Sequence, residues 1–348
     1  MFSKARFEIS KEKVLESYKN LEKITDIVSY SVKSNPYITN ILEENTSSRF
    51  LIHHVNEFKY IKNNLKIYFM LHCPDYEELN LIFKKGIINF IIDNSKDLDF
   101  FLEYIKKNNK KVNLFLRMRL KEYTVSTGRY FVYGFFSTEI NEYIFKLKNN
   151  LNISSLGVHF HRKTQNLSEW SIIREITDSL LPETLEAISY LDIGGGIPVD
   201  YKNISPSAIE SIYKKIIDIK TYFNNLNIKL IIEPGRAIAA PCGKLIATIK
   251  NIVSNNLFID ASVYNCSMDT IVTNIKLLVE NEDLEEKGKS YVIKGLTPAS
   301  EDIFRYRVYF KEGNLPKIGD KIFFINAGAY IYSTDLFDLE KPEIIFVD

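Results

Sequence analysis

Cysteine pairs, long apolar runs and an excess of charge of either sign are all missing from this 348-residue chain. Its three cysteines, Cys73, Cys242 and Cys266, form no Cys-x-x-Cys pair, which argues against a disulfide framework and a zinc site. No apolar run approaches the roughly 18 residues of a membrane span, and the N-terminus lacks the apolar segment of a signal peptide. Lysine plus arginine (45) nearly equals aspartate plus glutamate (44), so no global field favours nucleic acid or an anionic membrane. These absences predict a cytoplasmic protein without a metal, whose partners are small molecules or a second copy of itself.

Apolar residues make up 45% of the chain, so it can bury a large core, and its length predicts two domains. Between residues 20 and 235, eight strand-like runs alternate with amphipathic segments of helical period. The predicted strands are Ile27–Lys33, Phe50–His53, Ile67–Leu71, Phe90–Asp93, Val112–Arg119, Leu156–His161, Leu191–Gly194 and Leu230–Glu233. Eight strand–helix units predict an α/β protein with a (β/α)8 TIM-like barrel over residues 15–237, and its chemistry is expected at the C-terminal strand ends.

After Arg236 the pattern changes to strands without long helices, including a predicted strand at Ile275–Val279. This pattern predicts a C-terminal all-β domain of residues 238–348, to which residues 1–14 add a strand at Ala5–Ile9. No internal repeat or low-complexity linker is visible. The chain ends in a predicted strand at Asp348, so we expect it to be one portion of a longer protein.

Lys33 stands at the end of the first predicted barrel strand, just before an Asn35-Pro36 break. A lysine placed where a buried strand emerges into a turn is suited to forming a Schiff base, because a desolvated ammonium readily loses its proton. The alternative is a strand-end lysine whose stem is buried and whose charged head reaches water. This segment alone does not decide between the two.

Further motifs follow at the ends of later predicted strands. They are His159-Phe-His161, Gly194-Gly-Gly196, Glu233-Pro-Gly-Arg236 and, in the β domain, Gly328-Ala-Tyr330. Period-two alternation directs both histidines of the first motif to one face. For His159, a core histidine with satisfied hydrogen bonds is favoured over a catalytic role. The three glycines follow the seventh strand, where bare backbone amides can bind a phosphate and where barrel phosphate sites lie. Glu233 ends an apolar strand, which is costly unless the carboxylate is paired.

In their order and spacing these motifs resemble the pyridoxal-phosphate (PLP) enzymes of the alanine-racemase-like fold (fold type III). The resemblance is to their decarboxylase branch, the ornithine, diaminopimelate and carboxynorspermidine decarboxylases, and it spans Lys33 to Tyr330. It implies a homodimer in which PLP is bound covalently by Lys33, His161 stacks on the cofactor ring and Glu233 keeps the pyridine nitrogen protonated. That protonated ring is a strong electron sink. The resemblance further implies that the phosphate is held by Thr164, Gly194, Gly195, Gly196, Gly235, Arg236 and Tyr330.

One motif departs from the family pattern. The family's Gly-x-Thr-Cys-x-x-x-Asp is Gly295-Leu-Thr-Pro-Ala-Ser-Glu-Asp302 in this chain. Pro298 therefore replaces the cysteine that in the family reprotonates the substrate carbon across a dimer interface, and proline has no labile proton. The candidates for the missing donor are Cys266, Tyr264, Ser300, Glu301 and Asp302. For Glu301 and Asp302, a clamp on a substrate amine and a solvated acidic turn are equally good interpretations.

The short chain and the segment Asp260–Asp269 resemble the carboxynorspermidine decarboxylase branch, which implies a substrate bearing a 3-amino-3-carboxypropyl group. The decarboxylase portion of microcin C maturation enzymes acts on the same group in a peptide-nucleotide, so antibiotic maturation is an alternative to polyamine synthesis. Two other functions remain open. One is a catalytically inactive binding protein like the antizyme inhibitors, and the other is an amino-acid racemase. Racemases of the family place an arginine at the pyridine nitrogen, so Glu233 favours decarboxylation.

Overall fold

A computed structural model describes residues 4–120, 133–162, 171–332 and 334–348. In these ranges the strands are β1 (Arg6–Ser10), β2 (Ile27–Ser31), β3 (Arg49–Ile52), β4 (Ile67–Leu71), β5 (Asn89–Ile92), β6 (Val112–Arg117), β7 (Ile153–His159), β8 (Tyr190–Asp192), β9 (Lys229–Ile232), β10 (Gly243–Val253), β11 (Asn256–Ile259), β12 (Leu278–Val279), β13 (Lys289–Lys294), β14 (Ile303–Phe310), β15 (Lys321–Ile325) and β16 (Glu343–Val347). The helices are α1 (Lys11–Glu22), α2 (Thr39–Asn45), α3 (Tyr76–Lys84), α4 (Ser95–Lys107), α5 (Ser137–Leu147), α6 (Ile172–Ser179), α7 (Pro182–Ala187), α8 (Pro206–Asn224), α9 (Arg236–Cys242), α10 (Val263–Cys266) and α11 (Asp269–Val272).

Strands β2 to β9 form a closed parallel barrel, which confirms the predicted (β/α)8 architecture. The barrel closes where β2 pairs with β9, with Ile27 opposite Ile231 and Val28 opposite Ile232. Parallel strands covered on both faces are continuous apolar runs, and all five residues of β4 are buried. Side chains from successive strands fill the interior, among them Leu51, Tyr68, Ile91, Phe115 and Ile231. The barrel centre is therefore a packed core, and the room for chemistry lies at its ends.

The helices around the barrel form because their apolar residues recur at helical spacing next to capping residues. In α4, Leu98, Phe101 and Ile105 are buried on one side. The side chain of Asn94 accepts a hydrogen bond from the Asp97 backbone N–H, which satisfies a donor at the helix N-terminus. The helix thus begins directly after β5, and the C-terminal end of that strand stays in place.

The predicted barrel strands extend one or two residues too far at several C-terminal ends. Periodicity does not detect these ends because the residues that follow are partly buried as well, so the apolar signal continues past the last ladder hydrogen bond. The residues that consequently lie in turns beyond β2, β7, β8 and β9 are Lys33, His161, Gly194 and Glu233.

The chain is divided into two compact units. The barrel unit comprises Tyr18–Ile197 and Glu210–Gly235, and the β unit comprises Met1–Ser17, Pro198–Ile209 and Arg236–Asp348. Residues 198–209, which the sequence-based boundaries assigned to the barrel, belong to the β unit. Backbone and side-chain bonds explain this difference, because Lys202 N–H donates to the Lys276 carbonyl and Asn326 Nδ2 donates to the Asp200 carbonyl.

The β unit contains an eight-stranded sheet with the path β12-β15-β10-β11-β13-β14. Strand β1 pairs antiparallel with β10 and parallel with β16, which confirms that the N-terminal strand joins this domain. The predicted strand at Ile275–Val279 is wrong over most of its length, since only Leu278–Val279 pairs with β15. Lys276 instead bonds the 198–209 segment, through Lys202 and the Asn203 side chain. Within the described ranges, no helix has the length and apolar character needed to cross a membrane.

Candidate active site

The C-terminal strand ends of the barrel bring together most of the residues predicted for the site. In a parallel barrel all eight strands end at the same face, so turns far apart in sequence become neighbours. Lys33 follows β2, His161 follows β7, the glycine run follows β8 and Glu233 follows β9. Two polar residues that the sequence analysis did not select, His53 after β3 and Asp192 in β8, lie among them.

Lys33 lies in the short 3-10 turn Val32–Ser34 that follows β2. Its side chain is exposed, so the expectation of an ammonium desolvated by the strand is wrong. The reason is that β2 ends at Ser31 and the turn directs the residue out of the barrel wall. The Lys33 Nζ atom lies 3.3 Å from Nε2 of His53. A neutral imidazole is thus placed directly beside the amine.

His53 is held in place by the loop that it begins. The backbone N–H groups of His53 and His54 both donate to Oε1 of Glu57, at 2.8 and 3.0 Å. Burial, together with the positive charges of Lys33 and Arg117, lowers the pKa of His53 to about 3. The ring is therefore uncharged at neutral pH and available as a hydrogen-bonding partner.

A fully buried cluster of His159, Asp192 and Glu233 lies behind these residues. His159 Nε2 is 3.2 Å from Glu233 Oε2. One side-chain nitrogen or oxygen atom from each of the three residues lies within 4.8 Å of the other two. Their side chains are at most 3% exposed. Burial raises the pKa of Glu233 to about 7 and, together with the neighbouring Glu233 charge, raises the pKa of Asp192 well above its usual range. Burial also lowers the pKa of His159 to about 4.

The glycine run packs backbone against backbone beside this cluster. Gly194 N–H donates to Asp192 Oδ1 at 2.8 Å, and Gly195 N–H donates to His161 Nδ1 at 3.2 Å. A Cβ atom on Gly194, whose φ is +67°, would lie 2.5 Å from the Phe160 carbonyl oxygen. One on Gly195 would lie 2.6 Å from the Glu233 carbonyl oxygen. Any larger residue would push these strand ends apart, so the turn requires glycine.

The residues of the barrel face fit pyridoxal phosphate. Among the described residues, Glu233 Oε1 is one of the buried side-chain atoms with no hydrogen-bond partner. An unpaired buried carboxylate oxygen is costly, and a protonated pyridine nitrogen is a donor suited to it. Lys33 has an exposed primary amine that would suit the cofactor aldehyde, and the glycine turn, which has no side chains, would leave room for the phosphate.

The remaining predicted phosphate contacts are described unit by unit. Gly235, in the barrel unit, is in close contact with Ser34, since a Cβ at position 235 would lie 2.0 Å from Ser34 Oγ. In the β unit, Arg236 forms an ion pair with Asp269, and its guanidinium lies 5.1 Å from the centre of the Tyr330 ring. Thr164 lies outside the described residues. The phosphate contacts of all these residues stay predictions.

The loop that contains Pro298 is organised by Asp302. This carboxylate accepts hydrogen bonds from Ser262 Oγ, the Val263 N–H, the Thr297 N–H and Thr297 Oγ1, at 2.7 to 3.0 Å. Asp302 is only 1% exposed, so the interpretation as a solvated acidic turn is wrong for it.

The other donor candidates differ in exposure. Cys266 is buried, its thiol donates to the Ser262 carbonyl at 3.0 Å, and burial raises its pKa. Tyr264 is also buried, and burial raises the pKa of its phenol. Ser300 and Glu301 are exposed. The two donor candidates nearest Pro298 in the chain, Ser300 and Glu301, can therefore exchange protons with solvent, whereas Asp302 and Cys266 already have partners inside the β unit.

Asp302→Ala is expected to lower the free energy of unfolding by about 2 to 3 kcal/mol, because four donors lose their acceptor and water replaces it incompletely. Urea unfolding measures the difference. The matched control is Glu301→Gln at the exposed neighbouring position, which should change stability by less than about 0.5 kcal/mol. Equal effects of the two variants would show that Asp302 does not hold this loop.

Acid should destabilise the protein through three partly or fully buried histidines. Burial lowers the pKa of His53 to about 3, of His159 to about 4 and of His161 to about 3, so the unfolded chain binds more protons below its own histidine pKa of about 6.5. Stability contributed by each neutral ring is complete above that pKa and is lost as the pH falls, by about 1.4 kcal/mol per histidine at pH 5.5. Glu233 makes the opposite contribution to stability. Because its pKa is raised, the folded protein binds more protons than the unfolded chain, so this contribution favours folding as the pH falls.

A comparison of His53→Gln with the wild type isolates one histidine from these opposing contributions. Urea unfolding at pH 7.5 and pH 5.5 gives the stability lost on acidification for each protein. The variant should lose about 1.4 kcal/mol less than the wild type. The same loss in both proteins would contradict a neutral His53.

His53 and Asp192 were missed by the sequence analysis although a signal was present. Each is a polar residue at the C-terminal end of an apolar strand, the same feature that identified Glu233. The analysis also favoured a satisfied core role for His159. The structure gives that ring one partner, Glu233, while its Nδ1 atom is buried without one among the described residues.

Comparison with known proteins gives this site a family. The model of the pyridoxal-binding domain of the pyridoxal-dependent decarboxylases matches residues 11–240. The chain belongs to this family. The family assignment and the PLP cofactor predicted from the sequence are thereby confirmed.

Two relatives illustrate the range of the family. The chain is 26% identical over 275 residues to diaminopimelate decarboxylase of Aquifex aeolicus, a match that covers 73% of this chain and 63% of that enzyme. It is 22% identical over 316 residues to carboxynorspermidine/carboxyspermidine decarboxylase of Campylobacter jejuni, which covers 84% of this chain and 78% of that enzyme. The chain thus aligns with less than two thirds of the length of the Aquifex enzyme.

Solved structures show the same fold. Diaminopimelate decarboxylase from Helicobacter pylori, complexed with L-lysine, has a TM-score of 0.83 at 19% identity, covering 99% of this chain and 92% of that one. Lysine/ornithine decarboxylase from Vibrio vulnificus, complexed with cadaverine, has a TM-score of 0.80 at 18% identity, covering 100% and 96%. These similarities confirm the predicted barrel followed by a β domain.

Proposed function

We propose that this protein uses PLP to remove the α-carboxyl group of an L-amino acid, releasing carbon dioxide and an amine. The observation that supports this most strongly is Glu233, a buried carboxylate beside His159 with one oxygen unpaired among the described residues. A carboxylate at the pyridine nitrogen favours carbanion chemistry, because it stabilises the protonated ring. The same residue argues against racemisation, for which the family uses an arginine.

The side chains of the barrel face have distinct roles in this proposal. Bound PLP supplies the electron sink for the electron pair left when carbon dioxide departs. Lys33 anchors the cofactor, and His53 holds its amine by the 3.3 Å contact. Glu233 holds a proton on the pyridine nitrogen, and His159 fixes the orientation of that carboxylate. His161, which accepts a hydrogen bond from the Gly195 N–H, would cover one face of the cofactor ring.

The proposed substrate class is an L-amino acid bearing a 3-amino-3-carboxypropyl group. The similarity to the Campylobacter carboxynorspermidine/carboxyspermidine decarboxylase, which covers 84% of this chain, supports this choice. The product would carry an aminopropyl group. A peptide-nucleotide bearing the same group, as in microcin C-type maturation, is the second candidate substrate, and the homodimer stays a prediction.

The test is a substrate panel in which carbon dioxide and amine are measured separately. Purified protein with PLP is incubated with carboxynorspermidine, meso-diaminopimelate, L-ornithine and L-lysine. We expect equimolar carbon dioxide and amine, fastest from carboxynorspermidine. Release of carbon dioxide only from meso-diaminopimelate would overturn the substrate class. Binding of PLP without carbon dioxide from any amino acid would overturn the decarboxylase proposal in favour of a binding protein, and formation of the D-enantiomer would favour a racemase.

The replacement of the family cysteine by Pro298 predicts a donor among the exposed loop residues. Glu301→Gln or Ser300→Ala should lower amine formation by roughly tenfold while carbon dioxide release falls less, since reprotonation follows carboxylate loss. Cys266→Ala serves as the control, because its thiol already bonds the Ser262 carbonyl. An unchanged ratio of amine to carbon dioxide in both loop variants would show that water or another group supplies the proton.

A further inference from the structure

Asp192 belongs to the buried cluster, yet neither the family resemblance nor the proposed reaction gives it a role. In the register of the barrel it lies opposite His159 of β7 and opposite Ile231 of β9, two residues before Glu233. Side chains two residues apart along a strand share a face. Strand pairing therefore places Asp192 next to both His159 and Glu233, in agreement with the 4.8 Å limit on their mutual distances.

This cluster is too deeply buried to hold two negative charges. Asp192 and His159 are 0% exposed and Glu233 is 3% exposed. Two carboxylates this close and this deeply buried cannot both be ionised without a compensating cation. His159 does not provide one, because burial keeps its ring neutral at pH 7. The two neighbouring cations, Arg117 and Lys33, favour a charge on Glu233. With that one charge offset, the second carboxyl of the cluster is expected to hold a proton.

The surrounding charges decide which carboxyl holds that proton. The titratable groups around the cluster include Tyr68, Asp93, Arg117, Lys33 and the neutral rings of His53 and His161. The two cations among them, Arg117 and Lys33, favour the ionised form of Glu233. For Asp192, burial and the Glu233 charge both favour the neutral form, and with His159 uncharged they are opposed mainly by the hydrogen bond from the Gly194 N–H. Glu233 is thus the better site for the negative charge.

The unpaired atoms agree with this distribution. Among the described residues, Asp192 Oδ2 and Glu233 Oε1 are both buried without a hydrogen-bond partner. The side chains of Asp192 and Glu233 lie within hydrogen-bonding reach of each other. A hydrogen on Asp192 Oδ2 that points to Glu233 Oε1 would satisfy both atoms at once. Oε1 keeps a second lone pair for the cofactor nitrogen, because a carboxylate oxygen accepts two hydrogen bonds. Asp192 Oδ1 remains the acceptor for Gly194 N–H at 2.8 Å.

We propose that Asp192 is a positioning residue that stays protonated and donates a hydrogen bond to Glu233, so that Glu233 holds the single negative charge of the cluster. The same side chain then links the phosphate turn, through Gly194, to the group that faces the pyridine nitrogen. This inference rests on the proposed function only for its consequence in catalysis. The protonation of Asp192 is a property of the cluster itself.

Infrared spectroscopy of the cofactor-free protein at pH 8 tests the protonation directly. A protonated carboxyl has a carbonyl stretch that a carboxylate lacks. We expect this band in the wild type, its shift in protein labelled with 13C at the aspartate side-chain carboxyl, and its loss in Asp192→Asn. A band that shifts with 13C-labelled glutamate instead, or no protonated-carboxyl band at all, would overturn the proposal. Because the labelled wild type gives the answer, a variant that fails to fold does not remove the test.

The loaded enzyme provides the second measurement. Asp192→Asn keeps an acceptor for Gly194 N–H and a donor for Glu233, so kcat should stay within about threefold of the wild type, with the same pH profile. Asp192→Ala removes both the acceptor for Gly194 N–H and the donor to Glu233. It should lower kcat by roughly tenfold and move the acid limb of the kcat/KM pH profile to higher pH. A merely structural role would leave the pH profile of Asp192→Ala unchanged. Absence of decarboxylation in the wild type, with the infrared result as expected, would refute the proposed function and leave the assignment of the proton intact.

Discussion

Lys33→Ala should lower kcat for decarboxylation by roughly 10³-fold or more, which corresponds to about 4 kcal/mol of barrier. The variant has no amine at the end of β2 to bind the cofactor covalently, so both the anchoring and the orientation of PLP are lost. Neighbouring polar groups cannot replace the Lys33 amine. His53 is a neutral imidazole, and no second lysine amine is paired with His53 among the described residues. The measurement is carbon dioxide release at saturating substrate and PLP.

The control for this variant is Lys23→Ala. Lys23 is also exposed, and its ammonium bonds only the Asn20 side chain among the recorded contacts of the described residues. It should retain wild-type kcat and the visible absorption of bound cofactor. Turnover of Lys33→Ala within tenfold of the wild type would show that another lysine anchors PLP.

Glu233→Gln should retain PLP but lose turnover by roughly 10²-fold or more, equivalent to at least about 2.7 kcal/mol of barrier. Glutamine is isosteric and keeps the contact with His159, but it has no charge to hold a proton on the pyridine nitrogen. The ring then accepts the electron pair of the departing carboxylate less well. Absorption measures the bound PLP, and carbon dioxide release measures kcat. The two measurements together separate a loss of cofactor binding from a loss of turnover.

Glu233→Asp is the matched comparison, because it keeps the charge and withdraws it by one methylene. Its turnover should lie between those of the wild type and Glu233→Gln. Wild-type turnover in Glu233→Gln would show that Glu233 does not face the cofactor ring.

The barrel could be predicted from the sequence because each of its strands is a short apolar run followed by an amphipathic helix. The position of Glu233 was predictable for the same reason, since a carboxylate at the end of such a run has no other inexpensive explanation. The exact strand ends were not predictable. Residues such as His161 leave the ladder without any change in polarity, so periodicity continues across the boundary.

Contacts across the barrel could not be predicted from the sequence either. The 3.3 Å approach of His53 to Lys33 depends on the pairing of β2 with β3 and on the Glu57 carboxylate that fixes the loop. The hydrogen bonds of Asp302 join segments about 40 residues apart. A polar residue is recognisable in the sequence, but its partners are determined by the fold.

The central proposal is that Lys33 binds PLP at the C-terminal face of the barrel. Borohydride reduction of the purified holoenzyme, followed by proteolysis and mass mapping, tests it directly. The account predicts a reduced pyridoxyl group on the peptide that contains Lys33 and on no other lysine. A pyridoxyl group on any other lysine, or none at all in protein that retains PLP, would contradict it.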